Sequence, residues 1–225
     1  MQFYLIRHAE SENNAKPAYH RVEDPPLTAV GRLQAEYLSK WMRTLKFDML
    51  ISSPVLRALQ TTRQIHELTG HHVHVWDNVF EEGGIYRGYG PDATEGGPGL
   101  ARQQVWQSAT DDSSQCTIDS SVGESGWWGR PRETSEEAVV RAAVVAKRMA
   151  AFSGSDQRVL AAVTHADFKR KLLMELIGKQ INADLLGSLC NTGISRLTLE
   201  AGVWRLDCFN ATSHLPAKLI TGGEA

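Results

Sequence analysis

Apolar and polar positions along this 225-residue chain separate into short runs that predict the strands of a sheet. Three runs, 3–6, 47–51 and 159–164, are apolar almost without interruption, which is typical of strands covered on both faces in a parallel sheet. Residues 73–79 alternate and predict a further strand. Two stretches near the carboxyl end flank the turn sequence 200–202 and predict a hairpin. The strands of that hairpin are 194–199 and 204–209.

Helical spacing and capping residues predict the helices between these strands. Thr28 precedes apolar residues at helical spacing and is a candidate N-cap. Ser53 and Pro54 suit an N-cap and the first helical position that follows it. Thr134 and Glu137 form a capping-box pattern. The predicted helices are 28–45, 53–68 with Gly70 as its stop, 134–152, and 167–177 closed by Gly178.

The order of these elements predicts an α/β fold with three layers, α/β/α, around a mostly parallel central sheet with a mixed edge. Residues 83–132 are rich in Gly, Ser, Asp, Gln and Trp and show weak periodicity. We therefore expect a lid-like insertion at about 83–132 within a single domain that spans 1–225. The tail after Pro216 is small and polar, and we expect it to be frayed.

Composition and charge exclude several classes of partner. The chain is 42% hydrophobic and 22% charged, with a formal net charge of -2, which argues against a protein that binds nucleic acid through a basic face. No run is long enough to span a membrane, and we expect no signal peptide. Cys116, Cys190 and Cys208 lie far apart, so free thiols and a cytoplasmic location are expected. The oligomeric state stays open.

Two predicted strands end on residues that can bind an anion and attack it. The first strand runs into Arg7 and His8, and a late strand ends next to His165. Ligands of open α/β sheets bind beyond the carboxyl ends of the strands, so we expect these residues to meet there, together with Arg57 and Glu81. Guanidinium groups bind phosphate bidentately, a neutral imidazole can attack phosphorus, and a carboxyl group can protonate a leaving oxygen.

Four sequence segments resemble, in order, the motifs of the histidine phosphatase superfamily, also called the phosphoglycerate mutase-like family. The segment LIRHAESENN resembles its RHG motif, SSPVLRALQTTRQI its second motif, VFEEGG its acid-donor segment, and VTHADF its second-histidine segment. The closing CNTGISRLTLEAGVWRLDCFNATSHLP looks like the carboxyl-terminal hairpin of that family. The resemblance frames nearly the whole chain outside the insertion, and it implies the phosphoglycerate mutase-like fold.

The resemblance implies a phosphatase in which His8 is the nucleophile and carries a phosphohistidine intermediate. Glu81 would be the general acid and then the general base. The phosphoryl group would pass in line to the imidazole and then to water. The implied substrate is a small phosphorylated metabolite. No metal or cofactor is implied, because cationic side chains supply the positive charge that Mg²⁺ supplies elsewhere.

The resemblance also implies a phosphate pocket. Arg7, Arg57 and His165 would form it, with His165 charged in the complex. Asn14 matches the asparagine of the family that often touches the phosphate. The chain therefore contains all the residues that the resemblance calls for: Arg7, His8, Arg57, Glu81, His165 and Asn14.

The chain departs from the family pattern in three places. Ala9 replaces the commonest residue after the histidine, a glycine, and its small side chain is expected to be tolerated. Glu82 follows Glu81 directly; the spacing E-x-G-G favours Glu81 as the proton donor without excluding Glu82. Asp167 lies two residues past His165, whereas the acid-phosphatase branch places its aspartate immediately after that histidine, so Asp167 is not the expected donor.

Three further segments carry alternative interpretations. His72 and His74 share a predicted strand face and could hold a metal, but a solvated polar face is the favoured interpretation. In the segment 126–133, two tryptophans and two arginines form either a substrate lid or a plug that packs on the sheet. Residues 19–21 could also reach a substrate, which only geometry can decide.

Two other functions remain open. The first is a phosphoglycerate mutase, although neither the segment after the first motif nor the donor segment matches the mutase forms. The second is a non-catalytic protein that binds phosphorylated ligands. Specificity is expected to reside in 83–132, so the substrate cannot be read from the sequence.

Overall fold

The computed structural model describes residues 1–152, 158–178 and 186–223, and within these ranges seven strands form one sheet. The strands are β1 (Gln2–Arg7), β2 (Met49–Ser52), β3 (Val73–Val75), β4 (Cys116–Ile118), β5 (Val159–Thr164), β6 (Ile194–Glu200) and β7 (Val203–Ala211). The helices are α1 (Glu12–Ala15), α2 (Ala29–Met42), α3 (Leu56–Thr69), α4 (Arg102–Ala109), α5 (Ser135–Ala150) and α6 (Ala166–Ile177).

The strand order is β4-β3-β2-β5-β1-β6-β7. Pairing is parallel from β4 through to β1 and antiparallel for β6 and β7. Parallel strands require crossover helices, which the chain supplies between consecutive strands. The predicted mostly parallel sheet with an antiparallel edge is therefore confirmed, as is the predicted hairpin of β6 and β7.

Helices cover both faces of the sheet, which confirms the three layers. Successive side chains of a strand point to opposite faces, and in β1 Tyr4 and Ile6 belong to one buried cluster while Phe3 and Leu5 belong to another. The first cluster is completed by α2, α3 and α4, and the second by α5 and α6. A strand buried on both faces has no polar alternation, which is the pattern seen in the sequence.

The helix caps were predicted in part. Thr28 caps α2 by accepting a hydrogen bond from an N–H of the first turn, and Thr134 closes the predicted capping box of α5. The prediction that Ser53 caps α3 is wrong, because the helix begins at Leu56. The carboxylate of Asp24 accepts the hydrogen bond from the Leu56 N–H at 3.0 Å, and no local sequence pattern reveals such a distant cap.

Residues 83–132 contain more regular structure than their weak periodicity predicts. They supply α4 and also β4, which pairs in parallel with β3 and forms the edge of the sheet. Three residues are too few to show a recognisable alternation, which is why this strand was missed. The segment is therefore partly a component of the sheet and its helical layer rather than a lid alone.

The prediction of a frayed tail after Pro216 is wrong for the described residues up to 223. Leu219 is buried, and its carbonyl accepts a hydrogen bond from Gln34 Nε2 at 2.8 Å. The Asn191 N–H donates to the Thr221 carbonyl at 2.9 Å. Small and polar residues here make backbone contacts, which composition alone does not predict. Among the described helices, none has the length and apolar character needed to cross a membrane.

Candidate active site

The predicted site residues gather at the carboxyl ends of β1, β2 and β5. Arg7 ends β1 and His8 follows it, while His165 follows β5, the parallel neighbour of β1. The ring centroids of the two histidines are 5.0 Å apart. A cavity of about 510 Å³ opens above His8. Its walls contain Arg7, His8, Ser11, Asn13, Asn14, Arg21, Arg57, Glu81, Glu82, Tyr86, Arg132, Ala166 and Asp167.

His8 is held in one neutral tautomer. Its Nδ1 lies 2.7 Å from the Ala9 carbonyl, which can only accept, so Nδ1 carries the proton. Its Nε2 accepts a hydrogen bond of 3.0 Å from Arg57 Nε. Burial, with a contribution from the guanidinium groups of Arg57 and Arg7, lowers the pKa of His8 well below its usual value. The Nε2 atom is therefore unprotonated at neutral pH, and its lone pair can attack an electrophile once the Arg57 donor turns to the incoming anion.

The alanine that follows His8 is accommodated by the fold. Ala9 is fully buried and packs with Leu27 and Ala35. Its N–H donates to Thr61 Oγ1 at 3.0 Å. The departure from glycine at this position thus adds a small apolar contact and leaves the backbone hydrogen bond intact.

Arg57 lies next to a carboxylate that sequence analysis missed. Asp24 Oδ1 lies 3.9 Å from Arg57 Nη1, and both side chains are nearly buried. Burial raises the pKa of Asp24 to about 6, and the charge of Arg57 partly opposes that rise. Asp24 lies in a polar loop with no motif or periodicity around it, so only the folded chain reveals its proximity to Arg57.

His165 lies behind His8 rather than in the cavity wall. It is fully buried, and its Nε2 is 2.8 Å from Ser53 Oγ, while its Nδ1 has no partner among the described residues. Burial and the nearby charge of Arg57 lower the pKa of His165 well below its usual value. The imidazole is therefore neutral without an anion, and the charged state expected in a complex requires an incoming negative charge. Its contact with phosphate stays a prediction.

The two adjacent glutamates have different environments. The N–H groups of Glu82 and Phe168 donate to the Glu81 carboxylate at 2.9 and 3.0 Å. Burial and the nearby charge of Asp167 raise the pKa of Glu81. Glu82 instead pairs with Lys171 at 3.1 Å. A carboxyl group with a raised pKa can hold a proton for a leaving group, so the geometry favours Glu81 as the acid.

Asn14 lies in the cavity wall, where its contact with phosphate stays a prediction. Its Oδ1 accepts hydrogen bonds from the N–H and hydroxyl of Ser11 at 3.1 and 3.0 Å, and from Asn191 Nδ2 at 3.3 Å. With the oxygen engaged in this way, the Nδ2 group is the part of the side chain left to donate to an anion.

Two arginines and a tyrosine form the outer rim of the cavity, which we call the arginine rim: Arg21, Tyr86 and Arg132. The guanidinium carbons of Arg21 and Arg132 lie 4.2 and 4.3 Å from the centroid of the Tyr86 ring. Within the described ranges neither guanidinium forms a salt bridge. The arginine rim also lines an adjoining hollow of about 310 Å³. Tyr86 was missed because nothing in its sequence surroundings marks it.

The two tryptophans of segment 126–133 act as a plug that packs on the protein rather than as a substrate lid. Trp127 and Trp128 pack on Phe80, with ring centroids 5.2 and 4.9 Å away. Arg130 stacks on Trp128 at 4.2 Å, outside the cavity, whereas Arg132 reaches it. The segment thus anchors one arginine at the mouth of the site. Of residues 19–21, only Arg21 lines the cavity.

No group of three or more His, Cys, Asp or Glu side chains that could hold a metal ion occurs in the part of the chain that the structure describes. His72 Nε2 contacts Thr117 Oγ1 at 2.8 Å, consistent with a polar strand face. Cys116, Cys190 and Cys208 are free, as predicted. Burial raises the pKa of Cys116 to about 11, so this thiol is unreactive at neutral pH.

Comparison with known proteins decides the family. The model of the histidine phosphatase superfamily (branch 1) matches residues 3–212. The chain belongs to the histidine phosphatase superfamily. The resemblance carried by the four motifs is therefore confirmed over nearly the whole sequence.

Individual relatives match parts of this superfamily member. A putative phosphoserine phosphatase 2 of Hydrogenobacter thermophilus is 38% identical over 69 residues, which are 31% of this chain and 34% of that protein. A probable phosphoglycerate mutase, GpmB, of an Enterobacter species is 39% identical over 70 residues, 31% of this chain and 33% of that protein. The alignment thus spans about a third of the length of the curated relatives that the chain matches.

Solved structures share the fold over almost the full length. A phosphoserine phosphatase variant of Entamoeba histolytica, in complex with phosphoserine, has a TM-score of 0.64 and 20% identity, and the match covers 96% of this chain and 99% of that chain. A mycobacterial glucosyl-3-phosphoglycerate phosphatase has a TM-score of 0.63 and 21% identity, with 94% and 99% covered. At this identity the likeness shows the fold alone.

Proposed function

We propose that this protein is a phosphatase that hydrolyses phosphomonoesters through a phosphohistidine on His8. The observation that carries the proposal is the neutral His8 ring, whose Nε2 accepts a hydrogen bond from Arg57 in a cavity that Arg7 also lines. An unprotonated nitrogen beside two guanidinium groups is a nucleophile with its anion-binding groups already in place. The membership of the chain in a superfamily of phosphatases and mutases supports this activity.

The proposed reaction has two displacements at phosphorus. The phosphate group binds to Arg7 and Arg57, and His8 Nε2 attacks it in line with the leaving oxygen. The N–P bond forms as the P–O bond breaks, and Glu81 gives its proton to the leaving oxygen. Glu81, now a carboxylate, takes a proton from the water that attacks the phosphohistidine. The new P–O bond forms as the N–P bond breaks, so inorganic phosphate leaves and the ring and the acid are both regenerated.

The incoming anion changes the balance of charge around His165. Its imidazole is neutral in a pocket crowded with cationic groups. A phosphate dianion favours the protonated ring, which then adds positive charge where the transferring phosphoryl group needs it. No step of this mechanism calls for a metal or a cofactor.

The substrate that we propose is a small phosphorylated metabolite that bears further negative charge on its leaving group. Arg21 and Arg132 are cationic, face the same cavity and have no carboxylate partner among the described residues. Guanidinium groups left without a counter-ion favour a carboxylate or a second phosphate on the ligand. Relatives named for phosphoserine and for phosphoglycerate agree with this class.

The free cysteines also support the proposed cytoplasmic location.

Phosphoglycerate mutase is the second candidate, favoured by the names of several relatives. Such an enzyme would use the same phosphohistidine and return the phosphoryl group to a hydroxyl. Assay of 3- to 2-phosphoglycerate conversion with a bisphosphate primer separates the two activities. Net release of inorganic phosphate supports the phosphatase.

The test uses p-nitrophenyl phosphate and a chelator, with wild type, His8→Ala and His20→Ala compared. His20 is an exposed histidine of the nearby loop that does not line the cavity, so it is the matched control. Turnover should survive the chelator and the control substitution and disappear in His8→Ala, and acid-labile, base-stable phosphate should accumulate on the wild type. Undiminished turnover in His8→Ala contradicts the proposal. Phosphate binding without turnover would indicate a binding protein.

A further inference from the structure

Arg7 is held by two backbone carbonyls from the carboxyl-terminal part of the chain. Its Nη1 donates hydrogen bonds to the carbonyls of Leu189 and Gly222, the latter at 3.4 Å. Its Nε is buried and has no partner among the described residues, and no hydrogen bond of its Nη2 is found there. Because Arg7 lines the cavity above His8, the part of its guanidinium that these carbonyls do not engage is left to bind an anion.

The segment that supplies the second carbonyl is firmly attached to the rest of the fold. Gln34 of α2 is fully buried, and its Nε2 donates to the Leu219 carbonyl and to Thr221 Oγ1, both at 2.8 Å. The Thr221 carbonyl accepts from the Asn191 N–H at 2.9 Å, and its hydroxyl donates to Asn191 Oδ1 at 3.2 Å. Residues 219–222 are thus held in place by several hydrogen bonds, and we call this segment the terminal strap.

The same two anchors of the terminal strap also reach the catalytic loop. The Gln34 Oε1 accepts a hydrogen bond from the Glu10 N–H at 2.8 Å, two residues after His8. The Asn191 Nδ2 donates to the His8 carbonyl at 3.2 Å. Each anchor side chain therefore joins the strap to the loop that carries the proposed nucleophile.

Contact between the strap and Arg7 requires a glycine. Gly222 has φ +75°, a conformation that residues with a Cβ rarely adopt. A Cβ at this position would lie 2.5 Å from Arg7 Nη1 and 2.6 Å from Asn191 Oδ1. These distances are shorter than van der Waals contact, so any larger side chain must displace the guanidinium or the strap.

We propose that Gly222 is a positioning residue for phosphate binding: the terminal strap holds the Arg7 guanidinium in the cavity wall, where the phosphate binds. This inference rests on the proposed function. A long flexible side chain loses rotamer freedom when it binds an anion, and a guanidinium already held at Nη1 loses less. The strap thus raises phosphate affinity without touching the ligand itself.

Two glycine substitutions test the strap under equal backbone strain. Gly222→Ala places a Cβ against Arg7, while Gly202→Ala, in the turn between β6 and β7, has a similar φ of +78° and no atom within 4 Å of the added Cβ. The readout is the inhibition constant of inorganic phosphate against p-nitrophenyl phosphate, with the melting temperature measured in parallel. We expect about a tenfold increase in Gly222→Ala and less than about a twofold change in Gly202→Ala, because displaced hydrogen bonds to a charged group weaken binding to that extent.

Thr221→Val provides a second variant that leaves Gly222 and its carbonyl intact. It removes the hydroxyl that accepts a hydrogen bond from Gln34 Nε2 and donates one to Asn191 Oδ1. We expect a smaller increase of the inhibition constant in the same direction, at an unchanged circular dichroism spectrum. If the strap only stabilises the fold, the substitutions should lower the melting temperature and leave the inhibition constant unchanged.

The outcomes separate this inference from the proposed function. A wild type that neither binds phosphate nor turns over p-nitrophenyl phosphate contradicts the proposed function. A wild type that does both, with equal inhibition constants in Gly222→Ala and Gly202→Ala and no change in Thr221→Val, contradicts the positioning role alone.

Discussion

The Nε of Arg57 donates a hydrogen bond to the Nε2 of His8 over 3.0 Å. This single contact has two consequences for catalysis. It keeps the Nε2 atom unprotonated, and it places a guanidinium beside the position that a phosphorus atom must occupy to be attacked. When a phosphate enters, its oxygens can take over the Arg57 donor as the Nε2 lone pair turns to phosphorus.

Arg57→Lys should therefore lower kcat/KM for p-nitrophenyl phosphate by about 100- to 1000-fold, the usual loss when one preorganised donor to a transition state is removed. A lysine keeps the charge but cannot donate to His8 and phosphate in the planar geometry of a guanidinium. The control is Arg63→Lys on the same helix, where Arg63 pairs with Glu67 outside the cavity. Steady-state kinetics of both variants are the measurement, and an equal effect of the two substitutions contradicts the role of Arg57.

Glu81→Gln should lower kcat about 100- to 10,000-fold for an alkyl phosphate, whose leaving oxygen needs a proton, and far less for p-nitrophenyl phosphate. The raised pKa of Glu81 keeps its carboxyl protonated to higher pH than usual, so activity should fall as pH rises through that pKa. This alkaline limb should disappear in Glu81→Gln. Glu82→Gln is the matched control, because Glu82 pairs with Lys171. A selective loss in Glu82→Gln instead would assign the acid role to the neighbouring residue.

Most site residues that could be predicted from the sequence are tied to strand ends, whereas Asn14 was predicted from its motif alone. Arg7, His8 and His165 follow apolar runs, and parallel pairing of β1 with β5 brings such ends together by topology alone. Residues in polar loops carry no periodicity, so the proximity of Asp24 to Arg57 was missed. Gly222 lies 215 positions from Arg7 along the chain, and only the folded backbone shows that they touch.

The acidity of the solution should affect stability through the two buried histidines. The pKa of His165 and that of His8 are both lowered in the folded state. Below the unfolded value of about 6.5, the unfolded chain binds protons that the folded chain does not, so stability falls as pH falls. Above that value the contribution is constant.

Urea unfolding between pH 5 and 8 should show this dependence, with a contribution of about 1.4 kcal/mol per pH unit from each histidine below about pH 6.5. His165→Asn should remove one such contribution from the slope, whatever its effect on the absolute free energy of unfolding. His20→Asn, on an exposed loop, should leave the slope unchanged. An unaltered slope in His165→Asn would show that this imidazole is not buried in its neutral form.

The arginine rim should distinguish phosphomonoesters whose leaving group carries a carboxylate from those whose leaving group does not. Arg132 lies in the cavity wall, stacked on Tyr86, whereas Arg130 stacks on Trp128 outside it. Arg132→Gln should raise the KM of phosphoserine about tenfold, because a hydrogen bond to a charged group contributes about 1.5 kcal/mol, and should leave the KM of p-nitrophenyl phosphate nearly unchanged. Arg130→Gln is the control and should alter neither. Since both variants remove one positive charge from the same segment, a general loss of electrostatic attraction would raise both KM values in both variants. Only direct contact with the leaving group predicts a change confined to Arg132→Gln and to the acidic substrate.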